Sequence, residues 1–207
     1  MTPDDHGHAH PHAPIDDDAG GYYAVMQQAV QELLIAKGIV TADEVRRAVE
    51  AMDERTPALD ARVVARAWRD DAFKARLLAD GTAACRELGI EMGPTRLIAV
   101  ENTPEVHNLV VCTLCSCYPR MLLGLPPDWY KSRPYRSRAV REPRAVLREF
   151  GTEMPDHVEV KVHDSTADMR YLVLPRRPEG TEDLDEAALA ALVTRDCMIG
   201  VTLPSSA

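Results

Sequence analysis

Residues 111–118 of this chain read Val-Cys-Thr-Leu-Cys-Ser-Cys-Tyr. Three of the chain's five cysteines lie here within six residues, at C-x-x-C-x-C spacing. Cysteine binds metals as its thiolate, and one tight backbone turn can bring three thiolates this close together. A C-x-x-C pair alone is shared by redox dithiols and half zinc sites, so the third cysteine makes the pattern specific. We call residues 112–117 the claw loop and predict that it binds a metal.

The spacing of these cysteines favours a transition metal other than zinc. Structural zinc needs four ligands, and the remaining cysteines, Cys85 and Cys197, are far away in sequence. Cys115 and Cys117 are too near each other for two relaxed tetrahedral corners, and the amides of Ser116 and Cys117 lie between their sulfurs. If those amides lose their protons, nitrogen and sulfur donors share a plane, which suits a tetragonal or octahedral ion. Ionising an amide is so unfavourable that the ion should be trivalent, with an open position for water or substrate.

Cys112–Tyr118 resembles the metal-binding loop of the nitrile hydratase α subunit in its cobalt form. The resemblance covers most of the chain, from about Tyr22 to Leu203, and leaves out the residues before Gly20. Its further matches are Glu101–Pro104, Val106–Asn108, Leu123–Pro127, Trp129–Ser132, Tyr135–Arg136, Arg141–Arg144, Arg170–Tyr171, Thr194–Cys197 and Ile199–Val201.

The resemblance implies a ligand set for the metal. Cys112, Cys115 and Cys117, with the backbone nitrogens of Ser116 and Cys117, would hold low-spin Co(III). Cys112 would remain a thiolate, Cys115 would resemble the sulfinic acid and Cys117 the sulfenic acid, which are steps of cysteine oxidation. Arginines of a β subunit would bind the sulfur-bound oxygens by charge-assisted hydrogen bonds, and a small activator protein would load the cobalt. Iron is the less favoured metal, because Thr113 stands where iron members usually have serine.

The reaction implied by the resemblance is hydration of a nitrile to its amide, which makes the chain part of a hydro-lyase. The metal polarises the nitrile carbon as a Lewis acid, without a redox change. The attacking oxygen belongs either to metal-activated water or to the Cys117 sulfenate, and the sequence leaves both open. The hydroxyls of Ser116 and Tyr118 either orient that oxygen or only brace the loop. With two Trp and two Phe in the chain, an apolar substrate pocket should need side chains of the β subunit.

Two other functions stay open. Arg120 stands where many nitrile hydratases carry Trp, and the run Tyr118-Pro119-Arg120 is similar to that in the γ subunit of thiocyanate hydrolase, a sister cobalt enzyme. A cation there would suit an anionic substrate such as thiocyanate. The other hypothesis is a metal-binding or redox module without hydration activity, which a zinc-filled loop of unmodified cysteines would support.

The composition predicts an acidic protein with one sizeable core. Its 207 residues carry a formal net charge of −9, with five Asp in the first 21 residues, and nothing in this pattern predicts a nucleic-acid partner. No apolar run approaches membrane-spanning length and no secretion signal is visible, so we expect no membrane partner. An odd number of cysteines, clustered in one place, argues against a disulfide framework and favours the cytoplasm.

We predict three segments. Residues 1–21 contain four histidines at alternate positions from 6 to 12 and should form a disordered tail. A solubilising role is the favoured interpretation of this tail, and delivery of cobalt to the claw loop is the alternative. Residues 22–56 read as an arm of two helices that packs on another subunit, with a capping box at Thr41 opening the second helix. Residues 57–207 form the catalytic domain. Helices come first and strands later, which predicts an α+β fold, and the resemblance implies a layered α-β-β-α core.

Several local predictions can be compared with the structure. We expect His107, His157 and His163 to be structural, with His163 bonding the adjacent Asp164. The basic stretch from Lys131 to Arg148 should be a solvated face, or in a sharper interpretation a subunit interface, with three arginines on one helical face. The predicted elements are single helices over 70–88 and 134–150, a helix over 184–194, strands over 97–100, 109–111, 158–162, 171–174 and 199–203, and an irregular chain after Pro119.

Overall fold

The computed structural model describes residues 20–53, 57–115 and 117–206. The chain divides into two compact units, Met1–Val49 and Glu50–Ala207. The predicted three-segment division stays a prediction, and nearly all of the predicted tail lies outside the described residues. In the part of the chain that is described, no helix has the length and apolar content needed to cross a membrane.

Helix α1, Gly20–Ala36, opens the described chain, and α2, Ala42–Asp53, follows it. Gly38, at φ +66°, adopts the left-handed conformation that commonly ends a helix. The predicted capping box is confirmed: Glu44 N donates to Thr41 Oγ1 at 3.1 Å, and Thr41 N donates to Glu44 Oε2 at 2.7 Å. The side chains of Tyr22, Val25 and Leu33 along α1 are exposed.

Three helices begin the second unit: α3, Pro57–Arg69, α4, Asp71–Ala79, and α5, Gly81–Glu87. The prediction of one helix over 70–88 is wrong, because the chain is extended at Asp80, with φ −150° and ψ 92°. The Asp80 side chain accepts a hydrogen bond from Ala83 N at 3.0 Å and so caps α5. Gly81 follows because a Cβ there would lie 2.8 Å from Leu97 O. The break thus lets the chain pass close to a strand.

Within the described residues, four strands form two parallel pairs. β1, Arg96–Glu101, pairs with β4, Met169–Leu174, and β2, Val106–Val111, pairs with β3, Glu159–Asp164. Four short helices lie between β2 and β3, namely α6, Arg120–Leu123, α7, Asp128–Lys131, α8, Arg133–Arg141, and α9, Pro143–Glu149. The strands predicted near these positions are confirmed, whereas α6 and α7 lie where an irregular chain was predicted.

The predicted helix over 134–150 is broken at Glu142, which has φ −142° and ψ 55°. The residue before a proline is disfavoured in helical geometry, and Pro143 follows directly. Arg141 therefore ends α8, whereas Arg144 lies in the first turn of α9, so the prediction that they share one helical face is wrong. The Arg144 guanidinium instead donates to the carbonyl oxygens of Met154 and Pro155, at 2.9 and 3.2 Å.

The chain ends with helices α10, Glu186–Ala191, and α11, Arg195–Ile199. The first confirms a predicted helix in shorter form, but the predicted strand over 199–203 is wrong. Thr194 caps α11 by accepting from Cys197 N at 3.3 Å, and Gly200, at φ +91°, ends it. A Cβ on Gly200 would lie 2.0 Å from Asn108 O, so this turn presses directly against β2.

Helices cover both strand pairs. α4 and α5 pack on β1, α11 packs on β4 and β2, α8 packs on β2, α9 packs on β3, and β2 touches both strands of the other pair. These contacts confirm the predicted α+β class. The last residues of β2, Leu109, Val110 and Val111, are completely buried, and Tyr135 OH donates to Val110 O at 2.6 Å. The end of β2, which leads into the claw loop, is therefore fixed by burial and by this hydrogen bond.

Candidate metal centre

The structure brings the three cysteines of the claw loop together. Cys112 Sγ and Cys115 Sγ are 3.4 Å apart, Cys115 Sγ and Cys117 Sγ are 3.1 Å apart, and all three sulfurs lie within 4.8 Å of one another. Cys112 is buried, Cys117 is half-buried and Cys115 is exposed, so the cluster opens to the surface. Cys85 and Cys197 are buried thiols outside this cluster. Ser116, the fourth predicted ligand residue, lies outside the described residues.

These distances fit an ion with right-angled donors. With metal–sulfur bonds of about 2.3 Å, sulfurs at tetrahedral corners are separated by about 3.8 Å, and sulfurs at right angles by about 3.3 Å. The observed sulfur–sulfur distances of 3.4 and 3.1 Å are close to the value for sulfurs at right angles. Thiolate donors also suit soft transition metals. The three cysteines thus fit the octahedral ion expected from the sequence better than tetrahedral zinc.

The protein environment alone does not favour charged sulfurs here. Burial, together with hydrogen bonds with the Cys115 and Cys112 thiols, raises the pKa of the Cys117 thiol to about 12. Three thiolates this close together repel one another unless a cation lies between them. Metal ions deprotonate the thiols that bind them, so the cluster gains most from a highly charged ion.

Asp164 anchors the first half of the loop. Thr113 N donates to Asp164 Oδ1 at 2.9 Å, and Thr113 Oγ1 donates to Asp164 Oδ2 at 2.6 Å. Asp164 is the last residue of β3 and lies opposite Val111 in the parallel ladder, which explains why it reaches the loop. Serine at position 113 could make both of these bonds, and nothing in the structure explains why the methyl group of threonine should select cobalt.

Donors from three other elements bind carbonyl oxygens of the second half of the loop and of Tyr118, the residue that follows it. Arg136 Nη1 of α8 donates to Cys115 O at 2.6 Å, and Tyr130 OH of α7 donates to Cys117 O at 2.9 Å. Arg170 Nε of β4 donates to Tyr118 O at 3.2 Å. Neither these three residues nor Asp164 was predicted from the sequence to hold the loop. They lie between 13 and 52 residues from their partners, and no spacing rule connects them.

Tyr118, a predicted catalytic candidate, is almost completely buried, with 3 % of its surface exposed. Its ring packs edge-on against Tyr130, with 5.1 Å between the ring centroids. Of the two roles left open by the sequence, this packing favours bracing the loop.

The histidines lie in a separate buried network. His107 Nε2 is 2.7 Å from Gly200 O and its Nδ1 is 3.3 Å from Asn102 Nδ2, so the ring donates to the carbonyl and accepts from the amide. His163 Nε2 lies 2.8 Å from Asn108 Oδ1, so the predicted bond to Asp164 is wrong. Burial lowers the pKa of both imidazoles. Their partners confirm that both histidines are structural.

Leu114, in the middle of the claw loop, has a side chain that is 92 % exposed. Arg120, which begins α6, is also exposed. A cavity of about 360 Å³ lined by Asn102, His107 and Arg176 lies at the other end of β2, away from the cysteines. The arrangement of the claw loop therefore suits a site completed by a second chain.

Comparisons with known proteins agree with this geometry. The profile of the family described as nitrile hydratase, alpha chain, matches residues 21–202. The cobalt-containing nitrile hydratase subunit alpha of Pseudonocardia thermophila is 54 % identical over 177 residues, covering 84 % of this chain and 87 % of the relative. The low-molecular weight cobalt-containing nitrile hydratase subunit alpha of Rhodococcus rhodochrous is 50 % identical over 185 residues, covering 88 % and 89 %.

A solved structure of recombinant thiocyanate hydrolase, with partially modified cobalt centres, is also similar. It shares 41 % identity at a TM-score of 0.84 and covers 88 % of this chain and 90 % of its own. The likeness extends across both enzyme names that the sequence suggested. The family profile and the identity of 50 % and 54 % to two cobalt-containing α subunits show that this chain belongs to the nitrile hydratase α-chain family.

Proposed function

We propose that this chain is the α subunit of a cobalt-dependent nitrile hydratase, which hydrates a nitrile to its amide. The observation that carries this proposal is the cluster of three sulfurs at right-angle spacing, in a chain with cobalt-containing relatives. Cys112, Cys115 and Cys117 would hold the ion by their sulfurs, and the backbone nitrogens of Ser116 and Cys117 would bind it as well. When bound, Co(III) would polarise the nitrile carbon as a Lewis acid, with no redox change.

The chain's own residues would position these donors. Asp164 fixes the start of the loop through two hydrogen bonds, and Tyr130 fixes its end through Cys117 O. Hydrogen bonds that hold the residues around a metal orient its ligands and tune the metal. Cys117 is half-buried beside the open side, where the oxygen of its sulfenic form would either attack the nitrile or orient the attacking water. Cys115 would carry the sulfinic acid, and Ser116 and Tyr118 would support the loop.

A β subunit would complete the site. The exposure of Leu114 and Cys115 leaves the metal centre open on one side, and a partner surface there would exclude water from the substrate. Arginines of that subunit would bind the sulfur-bound oxygens, since guanidinium suits such acceptors. A small activator protein would load the cobalt. Cytoplasmic localisation remains the prediction from the cysteine pattern.

The test is co-expression of the chain with its β subunit in medium containing cobalt, followed by detection of amide from a small nitrile. Cys115→Ser should abolish amide formation and the sulfur-to-cobalt charge-transfer absorption. Cys197→Ser is the matched control, because this thiol only bonds Thr194 at the start of α11 and serine can replace it. Amide formation by Cys115→Ser at the wild-type rate would contradict the proposal. So would zinc bound by three unmodified cysteines in an assembled wild-type complex, which would indicate a module without hydration activity.

Hydrolysis of thiocyanate is the second candidate. Arg120 is exposed two residues after Tyr118, where a cation could attract an anion, and thiocyanate hydrolase is among the similar structures. Supplying the same complex with thiocyanate and with a nitrile separates the two functions. Turnover of thiocyanate alone would favour this candidate, and its loss in Arg120→Trp would assign the preference to that side chain.

A further inference from the structure

Arg136 differs from its neighbours on α8 in what its guanidinium contacts. Its Nη1 donates to Cys115 O at 2.6 Å, while its Nε is buried with no acceptor among the described residues. Arg138, on the same helix, bonds Glu142 at 2.7 Å and Glu149 at 2.6 Å. Within the described ranges no ion pair includes Arg136. A half-buried positive charge thus points at the claw loop without a carboxylate to balance it.

The carbonyl that Arg136 binds belongs to a particular peptide group. Cys115 O and Ser116 N are the two ends of one amide, and Ser116 N is a metal ligand in the proposed function. When such a nitrogen binds the ion, its proton leaves to water and the negative charge spreads over nitrogen and carbonyl oxygen. A guanidinium on that oxygen forms a charge-assisted hydrogen bond, which is stronger than a neutral one.

The other donors bind carbonyl oxygens of peptide groups whose nitrogens are not proposed metal ligands. Tyr130 binds Cys117 O, whose amide nitrogen belongs to Tyr118, and Arg170 binds Tyr118 O, whose amide nitrogen belongs to Pro119 and has no proton. Arg170 also donates to the carbonyl oxygens of Ala167 and Met169, both at 3.1 Å. Among these donors, Arg136 is placed where the ligand charge would develop.

We propose that Arg136 is a positioning residue of the metal centre, which neutralises the Cys115–Ser116 peptide when its nitrogen binds the ion. It acts through the backbone and touches neither substrate nor reacting atoms. The inference rests on the proposed function, because it needs a metal bound through that peptide. It predicts that Arg136 controls how tightly the ion is held and the electronic character of the centre.

The experiment uses the full chain, co-expressed with the β subunit and cobalt, as wild type, Arg136→Gln, Arg136→Lys and Arg133→Gln. Arg133 is an exposed arginine in the first turn of α8 and serves as a charge-matched control. Cobalt per chain is measured before and after incubation with a chelator, together with the position of the sulfur-to-cobalt charge-transfer band. Thermal unfolding of each metal-free α chain reports whether the fold is intact.

Arg136→Gln should hold cobalt about 10- to 100-fold less tightly, the range found when partners of metal ligands are removed. Its charge-transfer band should shift, and Arg136→Lys, which keeps the charge, should lie nearer to wild type in both measurements. Arg133→Gln should match wild type. A merely structural role would lower the unfolding temperature without moving the band of the protein that still binds cobalt.

Three results would overturn the inference while leaving the proposed function intact. They are unchanged cobalt retention and band position in Arg136→Gln, equal loss in the Lys and Gln variants, and loss of cobalt that only follows loss of the fold. A wild-type complex that forms amide and carries cobalt on the cysteines is the reference for all three. If that complex held its cobalt elsewhere, the proposed function would fail and this inference with it.

Discussion

Removing the carboxylate of Asp164 should loosen the claw loop, with an effect that can be worked out from its contacts. Asp164 accepts two hydrogen bonds from Thr113, one from the amide at 2.9 Å and one from the hydroxyl at 2.6 Å. Asp164→Ala removes both acceptors, whereas Thr113→Val removes the hydroxyl donor alone. The two substitutions therefore share one bond and differ by the other.

The expected magnitude follows from the charge and the exposure of the pair. A hydrogen bond to a charged acceptor contributes about 1.5–3 kcal/mol, but Asp164 is exposed and solvent screens it. We assign about 1 kcal/mol to each bond, so Asp164→Ala should lose about 2 kcal/mol and Thr113→Val about 1 kcal/mol. For a chain of this size, 2 kcal/mol lowers the unfolding temperature by about 4–8 °C.

The assay is a double-mutant cycle on the metal-free chain, with Asp168→Ala as the control for loss of an exposed carboxylate in the same turn region. The Thr113 and Asp164 substitutions should be non-additive by about 1 kcal/mol, the energy of the shared bond. Cobalt retention of the assembled complex should fall in the same order as stability. Strict additivity of the two substitutions would refute the assignment of Asp164 as the anchor of the loop.

Two further predictions concern the fold that supports the site. Gly200→Ala should lower the free energy of unfolding by more than about 4 kcal/mol or prevent folding, since its Cβ would meet Asn108 O at 2.0 Å. Gly180→Ala, at φ +75° with open space around it, should lower the free energy of unfolding by only about 1–2 kcal/mol. Equal denaturant midpoints for the two variants would contradict this. Because burial lowers the pKa of His107, the unfolded chain binds a proton that the folded chain resists, so stability should be complete above about pH 6.5 and fall below it. Denaturant titrations between about pH 7.5 and pH 5.5 should show a shallower fall for His107→Gln, and parallel curves would exclude His107 as a cause.

The family, the enzyme class and the α+β class were all predictable from the sequence, and the comparisons and the structure confirm them. Local signals also located most elements: the capping box at Thr41 and the strands ending at Glu101 and Val111 are where the patterns indicated. The break at Glu142 had a signal in the following proline, which the helical periodicity obscured. The break at Asp80 depends on a strand passing close to Gly81, which no local pattern reports.

The error at the end of the chain has a related cause. The run Ile199–Leu203 is short and apolar, and such runs do not distinguish a strand from a buried turn of helix. The preceding Thr194 caps a helix, and Gly200 fits only where the chain turns against β2. The same packing directs His107 to the Gly200 carbonyl, and His163 pairs with Asn108 rather than Asp164, leaving Asp164 to hold Thr113.

The sequence by itself determined where the cysteine cluster forms, because all three cysteines lie within six residues and their spacing alone limits how their sulfurs can surround an ion. Only the tertiary structure decided which side chains hold that loop. The donors that bind its carbonyls come from α7, α8 and β4, and its carboxylate anchor comes from the parallel partner of β2. Strand pairing and helix packing bring these groups together across as many as 52 residues of chain. At such separations, no spacing pattern in the sequence identifies hydrogen-bonding partners.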